Sequence, residues 1–198
     1  MRSGFDTAGA LGSGDPGEFL RLLGAAWEVP GVAELLHTYE NRSDVAALGL
    51  EVDDGMVIFH AADPAVAEAV WGFPVGAGDP DPPTFVDNGA GWRPYLDHLS
   101  LTCVDIALTA VIDGGEWYNA AELPADLVPS VAANFDRVPL PDLPMWIDVE
   151  ESPVRWYSRP GLLLRTHGDD GAWLWVRALT RTGLESVYRA LPGVTWSQ

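Results

Sequence analysis

The residues whose types could carry chemistry are few: four histidines (His37, His60, His98, His167), one cysteine (Cys103), and a serine near a histidine, Ser100 and His98. A zinc site needs three or four converging ligands, usually signalled by H-x-H, H-E-x-x-H or C-x-x-C spacing. The histidines stand in four different predicted elements at none of these spacings, and a single cysteine supports neither a cysteine-based zinc site nor an internal disulfide framework. Cys103 falls in an apolar helical stripe, which reads as a buried, inert thiol. A nucleophilic serine wants a strained turn of the G-x-S-x-G kind, which is lacking, and residues two apart on a helix, such as His98 and Ser100, do not face each other. The chain has no lysine, which excludes a Walker phosphate loop; a G-x-G-x-x-G at Gly12, Gly14 and Gly17 follows no predicted strand and fails as a dinucleotide motif. Asp79 and Asp81 resemble part of a calcium loop, but the prolines around them and the missing turn glycine rule out an EF-hand. No catalytic residue, metal or cofactor is expected from these residues, whose chemistry alone supports an acidic α+β domain and nothing sharper.

The elements that would position these residues centre on 71–112. A helix is predicted over 94–112, opened by Pro94 and ended by Asp113-Gly114-Gly115, roughly 28 Å long. Two apolar stripes, one through Leu99, Cys103 and Ile106 and one through Leu101, Val104 and Leu108, predict a helix covered on more than one side. His98, Thr102, Asp105 and Thr109 line up as its polar stripe and read as its exposed edge. Ahead of it, Asp79-Pro80-Asp81-Pro82-Pro83 is a stiff acidic loop, since three prolines remove three donors and favour extended neighbours. Trp71 and Trp92 bracket that loop.

Before this segment, residues 1–16 are glycine-rich and aperiodic and predict a flexible leader, and two helices are expected over 17–27 and 31–40. Residues 45–52 and 56–60 flank Asp53-Asp54-Gly55 as a hairpin, followed by strands over 66–73 and 84–86. Residues 113–153 hold six prolines and predict only a short helical turn near 126–135; this stretch is either a packed cover over the core or a binding loop. Residues 154–158, 162–167 and 172–178 form a three-strand meander, and a helix follows with Thr182 and Glu185 as capping box and Leu184, Val187, Tyr188 and Leu191 on one face. The predicted fold is α+β: a single domain over 17–198, with a mostly antiparallel mixed sheet, a long central helix, two N-terminal helices and a C-terminal meander plus helix.

Composition narrows the partners. Net charge is −18, and residues 1–150 carry 25 acids against 5 arginines while 151–198 carry 4 against 6. Such a field repels nucleic acid and anionic membrane and speeds encounter with basic proteins, although charge alone also serves solubility. No run of 18 apolar residues occurs and the start has no signal-peptide core, so a cytoplasmic location is expected. Most of the nine tryptophans read as core. Trp71 and Trp92, beside the acidic loop, have a second reading as interface anchors.

Taken in order, VPGVAELLHTYEN, DDGMVIF, VWGFPV, DPDPPTFV, a tryptophan and LSLTCVDIAL resemble the SUKH superfamily of fungal cell-wall regulators and bacterial immunity proteins, over about residues 29–115. The chain departs from that pattern at His60-Ala61-Ala62-Asp63 and in its proline-rich and C-terminal parts. The resemblance implies an α+β fold of helices on a sheet, no catalytic residues, and binding that neutralises a cognate toxin domain. Asp79, Asp81 and Asp87 would then steer a basic toxin while Trp71 and Trp92 anchor it. A regulatory scaffold without a toxin, as the fungal members suggest, and a small-molecule enzyme with an unrecognised pocket are the other readings.

Overall fold

The computed structural model describes residues 51–62, 68–79, 81–113, 116–146, 153–168 and 172–197. The leader over 1–16, the helices expected over 17–27 and 31–40, and the hairpin residues 45–50 lie outside the described residues. What is described is α+β, with two antiparallel sheets and three α-helices.

The first sheet is a meander of β1 (Glu51–Asp53), β2 (Met56–Ala61), β3 (Val70–Pro74), β4 (Phe85–Asp87) and β5 (Arg93–Pro94), in that spatial order. Its opening turn is Asp54-Gly55, with φ of 43° and 77°; two consecutive left-handed residues are what a two-residue hairpin turn demands, which is why an Asp-Gly pair stands there. Val57, Trp71, Phe73 and Val86 form its buried face. On the opposite face the strand-crossing row Ile58, Gly72, Phe85 and Pro94 contains the one residue without a side chain, and the Trp92 ring fills that space. A Cβ built on Gly72 would sit 2.9 Å from the edge of that indole and 3.1 Å from the Val57 carbonyl.

The central helix, α1, spans Leu99–Asp113. It starts five residues later than expected because Pro94 belongs to β5, paired with Phe85. The helix is opened instead by Asp81, whose carboxylate accepts hydrogen bonds from the Ser100 backbone N–H at 2.8 Å and its hydroxyl at 2.6 Å. A carboxylate there satisfies an orphan donor and complements the positive end of the helix dipole. Residues 102–108 of α1 are all buried, as befits a helix with apolar side chains nearly all round.

The second sheet runs β11-β6-β10-β9-β8-β7, made of β6 (Tyr118–Leu123), β7 (Asp136–Arg137), β8 (Val154–Arg159), β9 (Leu162–His167), β10 (Ala172–Ala178) and β11 (Thr195–Trp196). The predicted meander is its centre, bounded nearly as expected. Strand β6 was unexpected: Asn, two alanines and Glu are poor strand formers, and pairing along its whole length with β10 overrides that preference. A mixed sheet is therefore replaced by two sheets, each antiparallel throughout.

Both faces of the second sheet are covered, and period-two alternation divides them. Val154, Trp156 and Leu163 face α1 and the first sheet, whereas Tyr157, Leu162, Leu164, Leu174 and Val176 face α2 (Val128–Asn134) and α3 (Arg181–Ala190). The layers are thus sheet, helix, sheet, helices. The described part of the proline-rich connection packs over the core: Leu140, Leu143 and Met145 join the α1 core, and Asp142 ties it down between Arg137 and Arg155, each at 2.8 Å. Helix α3 is capped by Thr180, whose hydroxyl accepts from Gly183 N–H at 3.1 Å, and not by the expected Thr182. Glu185 pairs instead with Arg181 one turn back at 2.9 Å.

Gly72→Ala should lower unfolding free energy by about 1–3 kcal/mol, the usual range for overpacking. In a Trp92→Ala background the same change should cost less, because the ring it meets is gone; urea denaturation of the four proteins measures the coupling, and equal costs in both backgrounds would contradict the packing described.

Candidate functional site

The five residues expected to bind a partner fall into four situations. Trp71 is a core residue, 4% exposed, with its ring 5.2 Å from His60, 5.6 Å from Trp146 and 6.3 Å from Tyr95. This corrects its reading as a surface anchor: the inward face of β3 carries it toward α1. Trp92 is half-buried and spent on covering Gly72. Asp81 holds α1, and Asp87 accepts from the N–H groups of Gly89 and Gly91 at 2.8 and 2.9 Å, folding the loop between β4 and β5. Asp79 alone of the five is exposed, its side chain accepting from Asp81 N–H at 2.9 Å.

Asp79 has exposed company that the sequence reading did not single out. Glu51, Val52, Asp53 and Asp54 are all exposed on edge strand β1 and its turn. The Val75 N–H bonds to the Gly55 carbonyl at 2.9 Å, which joins this turn to the loop leading from β3 to Asp79. Val52 and Val75 are each 54% exposed. One end of the first sheet therefore exposes Glu51 and Asp53 on its outer face, Val52 on the other face as the partner of Val57, Asp54 in the turn, and Val75 and Asp79 on the following loop. The signal for it was in the sequence as Glu51-Val52-Asp53-Asp54, an apolar residue in an acidic run at a turn.

A second arrangement is chemical in type but closed to solvent. Asp105, expected at an exposed edge, is 7% exposed at the middle of α1. Its Oδ2 accepts from the Tyr95 hydroxyl at 2.7 Å and its Oδ1 from the Trp156 indole N–H at 3.3 Å. Arg165, on β9, is an electrostatic partner of this carboxyl; its guanidinium lies 4.4 Å over the Trp175 ring and reaches Thr109 at 3.5 Å. Thr102, also read as exposed, is fully buried and bonds to Thr84 at 2.6 Å. Of the expected exposed stripe, His98 is exposed and Thr109 half-buried, whereas Thr102 and Asp105 face protein between the two sheets. The clue in the sequence was Arg165, a charged residue directly after three leucines in a predicted strand, which calls for polar partners when buried.

Burial lifts the Asp105 carboxyl above the ordinary aspartate range, opposed by the Tyr95 hydrogen bond, the Arg165 charge and the Trp156 hydrogen bond. Burial, and then the Asp105 charge, push the Tyr95 hydroxyl well above its usual value, so it remains a donor. Buried between the sheets, the network orients side chains of both around α1.

Other groups do not converge. Ser100 gives its proton directly to Asp81, and the His98 Nδ1 lies 3.8 Å from the same carboxylate, so the ring is not placed as a base on the hydroxyl. Among the described residues no group of three or more His, Cys, Asp or Glu is placed to hold a metal ion, and no helix is long and apolar enough to cross a membrane. His37 lies outside the described residues.

Asp105→Ala should cost about 1–3 kcal/mol, because it leaves the buried Tyr95 hydroxyl and the Trp156 indole N–H without their acceptor. The pH dependence has a defined sign. Folded Asp105 keeps its proton to higher pH than the unfolded chain does, so its contribution is full below the ordinary aspartate pKa and declines as pH rises toward the lifted one. The unfolding free energy of wild type minus that of Asp105→Asn should therefore fall as pH is raised from about 4 and then level off; a difference that rises over this window would contradict the assignment.

No family model, curated protein or solved structure matches the chain, and the resemblance to the SUKH superfamily stands on the sequence segments alone.

Proposed function

We propose that this chain is a non-catalytic protein-binding domain that meets a basic partner, and, in the finer form the SUKH resemblance implies, an immunity protein that covers a cognate toxin domain. The observation that carries the reading is the exposed end of the first sheet, where Glu51, Asp53, Asp54 and Asp79 and two open valines, Val52 and Val75, all lie in solvent on β1, its turn and the loop after β3. Exposed carboxylates with open apolar side chains on neighbouring segments match the division of labour in a protein interface. The charges raise the rate of encounter with a basic surface, and the desolvated apolar contact slows release. The net charge of −18 extends the same steering beyond the patch.

Inhibition under this reading is steric and electrostatic. The acidic end occupies the basic surface with which a nuclease-type toxin grips its own anionic substrate, and no bond in the toxin is made or broken. Asp81 and Asp87 act at one remove: they shape the two loops of the first sheet without presenting free carboxylates.

Purified protein is tested by biolayer interferometry against the basic proteins encoded beside it, at low and high salt. One should bind, and co-expression should suppress its toxicity. The triple variant Asp53→Arg, Asp54→Arg, Asp79→Arg should lower the association rate by about tenfold and flatten its salt dependence, whereas Val52→Ala with Val75→Ala should act mainly on dissociation. Unchanged association in the triple variant would refute this surface, and the lack of any basic binder would refute the function.

A further inference from the structure

Where the second sheet meets the end of α3, its margin opens into a pocket of about 420 Å³, within the roughly 300–1,000 Å³ usual for ligand sites. The Pro192-Gly193 turn builds one side of it. Val194 N–H bonds back to the Leu191 carbonyl at 3.2 Å, the chain reverses, and β11 runs antiparallel beside β6. Gly193 is packed closely enough that a Cβ there would stand 2.9 Å from Leu127 Cδ1, which holds the turn in place. Trp196 lies opposite Ala121, a residue of the α3 core, so its indole projects to that side. It meets Tyr188 of α3 with 4.8 Å between ring centroids and 46° between planes. Leu191, Pro192 and Val194 complete the apolar lining, while Asn119 of β6 and Ser197 supply polar atoms. None of these lining side chains is charged, in a chain of net charge −18.

The hydrogen bonds decide what the pocket offers a ligand. Asn119 Oδ1 accepts from the Ala120 N–H at 2.8 Å, which fixes the orientation of the amide, and Nδ2 donates to Tyr188 Oη at 2.8 Å. The phenol oxygen is the acceptor in that bond, so its own proton is turned to another group. A second Asn119 N–H joins it as a donor, whereas the amide oxygen is already engaged. A matching occupant is therefore uncharged, lays an aliphatic ring against the aromatic faces, and brings carbonyl oxygens in place of N–H groups. A proline residue within a chain combines these features: a pyrrolidine ring, a carbonyl and no N–H. In a polyproline II helix they recur on one side every third residue, and the carbonyls have no internal partner. A sugar, by contrast, brings as many donors as acceptors.

We propose that this pocket binds a proline-rich peptide segment in the polyproline II conformation, with a pyrrolidine ring against Trp196 and Tyr188 and a peptide carbonyl accepting from the Tyr188 hydroxyl. Aromatic-lined grooves that take such segments gain from a peptide helix already formed before binding. The pocket belongs to the second sheet and shares no residue with the acidic surface of the first, so each site stands or falls by its own test.

The test is an NMR titration of the full chain with octaproline, acetylated and amidated at its ends, and with a Gly-Ser octapeptide blocked in the same way. The Trp196 indole N–H resonance, assigned with Trp196→Phe, is the reporter. Octaproline should move it saturably and the Gly-Ser peptide should not. Tyr188→Phe, which keeps the ring and loses the donor, should weaken binding about fivefold. Trp196→Ala, which removes the larger wall, should weaken it at least about tenfold. Should Trp196→Ala not fold, Tyr188→Phe replaces it, since that change removes a single oxygen. No saturable shift up to about 1 mM octaproline, an equal response to the Gly-Ser peptide, or unchanged affinity in Tyr188→Phe would overturn the proposal. A response to maltose and none to octaproline would overturn it too, by assigning the pocket to sugars.

Discussion

The structure depends on satisfying one carboxyl in the middle of a helix whose central residues, 102–108, are all buried. Asp105 lies halfway along α1, and its partners come from both directions: Tyr95 from the end of the first sheet, Trp156 and Arg165 from the centre of the second. The hydrophobic effect is non-directional, so apolar burial alone does not choose how α1 is rotated between the two sheets. Hydrogen bonds at 2.7 and 3.3 Å do. The network fixes the rotation of α1 and, through it, the position of one sheet against the other.

That arrangement frees the outer features for recognition. With the second sheet covered on both faces, the first sheet is where the chain shows its strand edge, its acidic hairpin and its open valines. The carboxylates around it divide between those that shape loops, Asp81 and Asp87, and those left in solvent, Asp79 and the hairpin acids. A binding surface assembled from short strands and tight turns needs little buried area of its own, provided that the layer beneath it cannot move.

Much of the architecture was legible in the residues. The C-terminal meander, its following helix and the Asp-Gly hairpin are written in local patterns: alternation, turn glycines and helical spacing, each set within a few residues. The failures share a cause, namely long-range context. Strand β6 is made of weak strand formers and exists because β10 lies beside it. Pro94 looked like a helix start and is instead an edge-strand residue, a position that tolerates its missing N–H. The polar stripe of α1 looked solvent-facing because periodicity reports which residues share a face, not what that face meets. For the candidate surface, charge and loop position pointed to Asp79, but burial of Trp71 and the structural duties of Asp81 and Asp87 are properties of the folded chain and have no local signature.

The most direct test of the account is native-state hydrogen exchange of amides in β3 and β9, one from each sheet, in wild type and in Asp105→Asn. If α1 and its carboxyl join the sheets into one cooperative unit, the wild-type amides will exchange with a common free energy equal to that of global unfolding, and the variant will release β3 at a lower free energy than β9. Separate free energies for the two strands already in wild type would contradict the claim that the buried network holds the layers together.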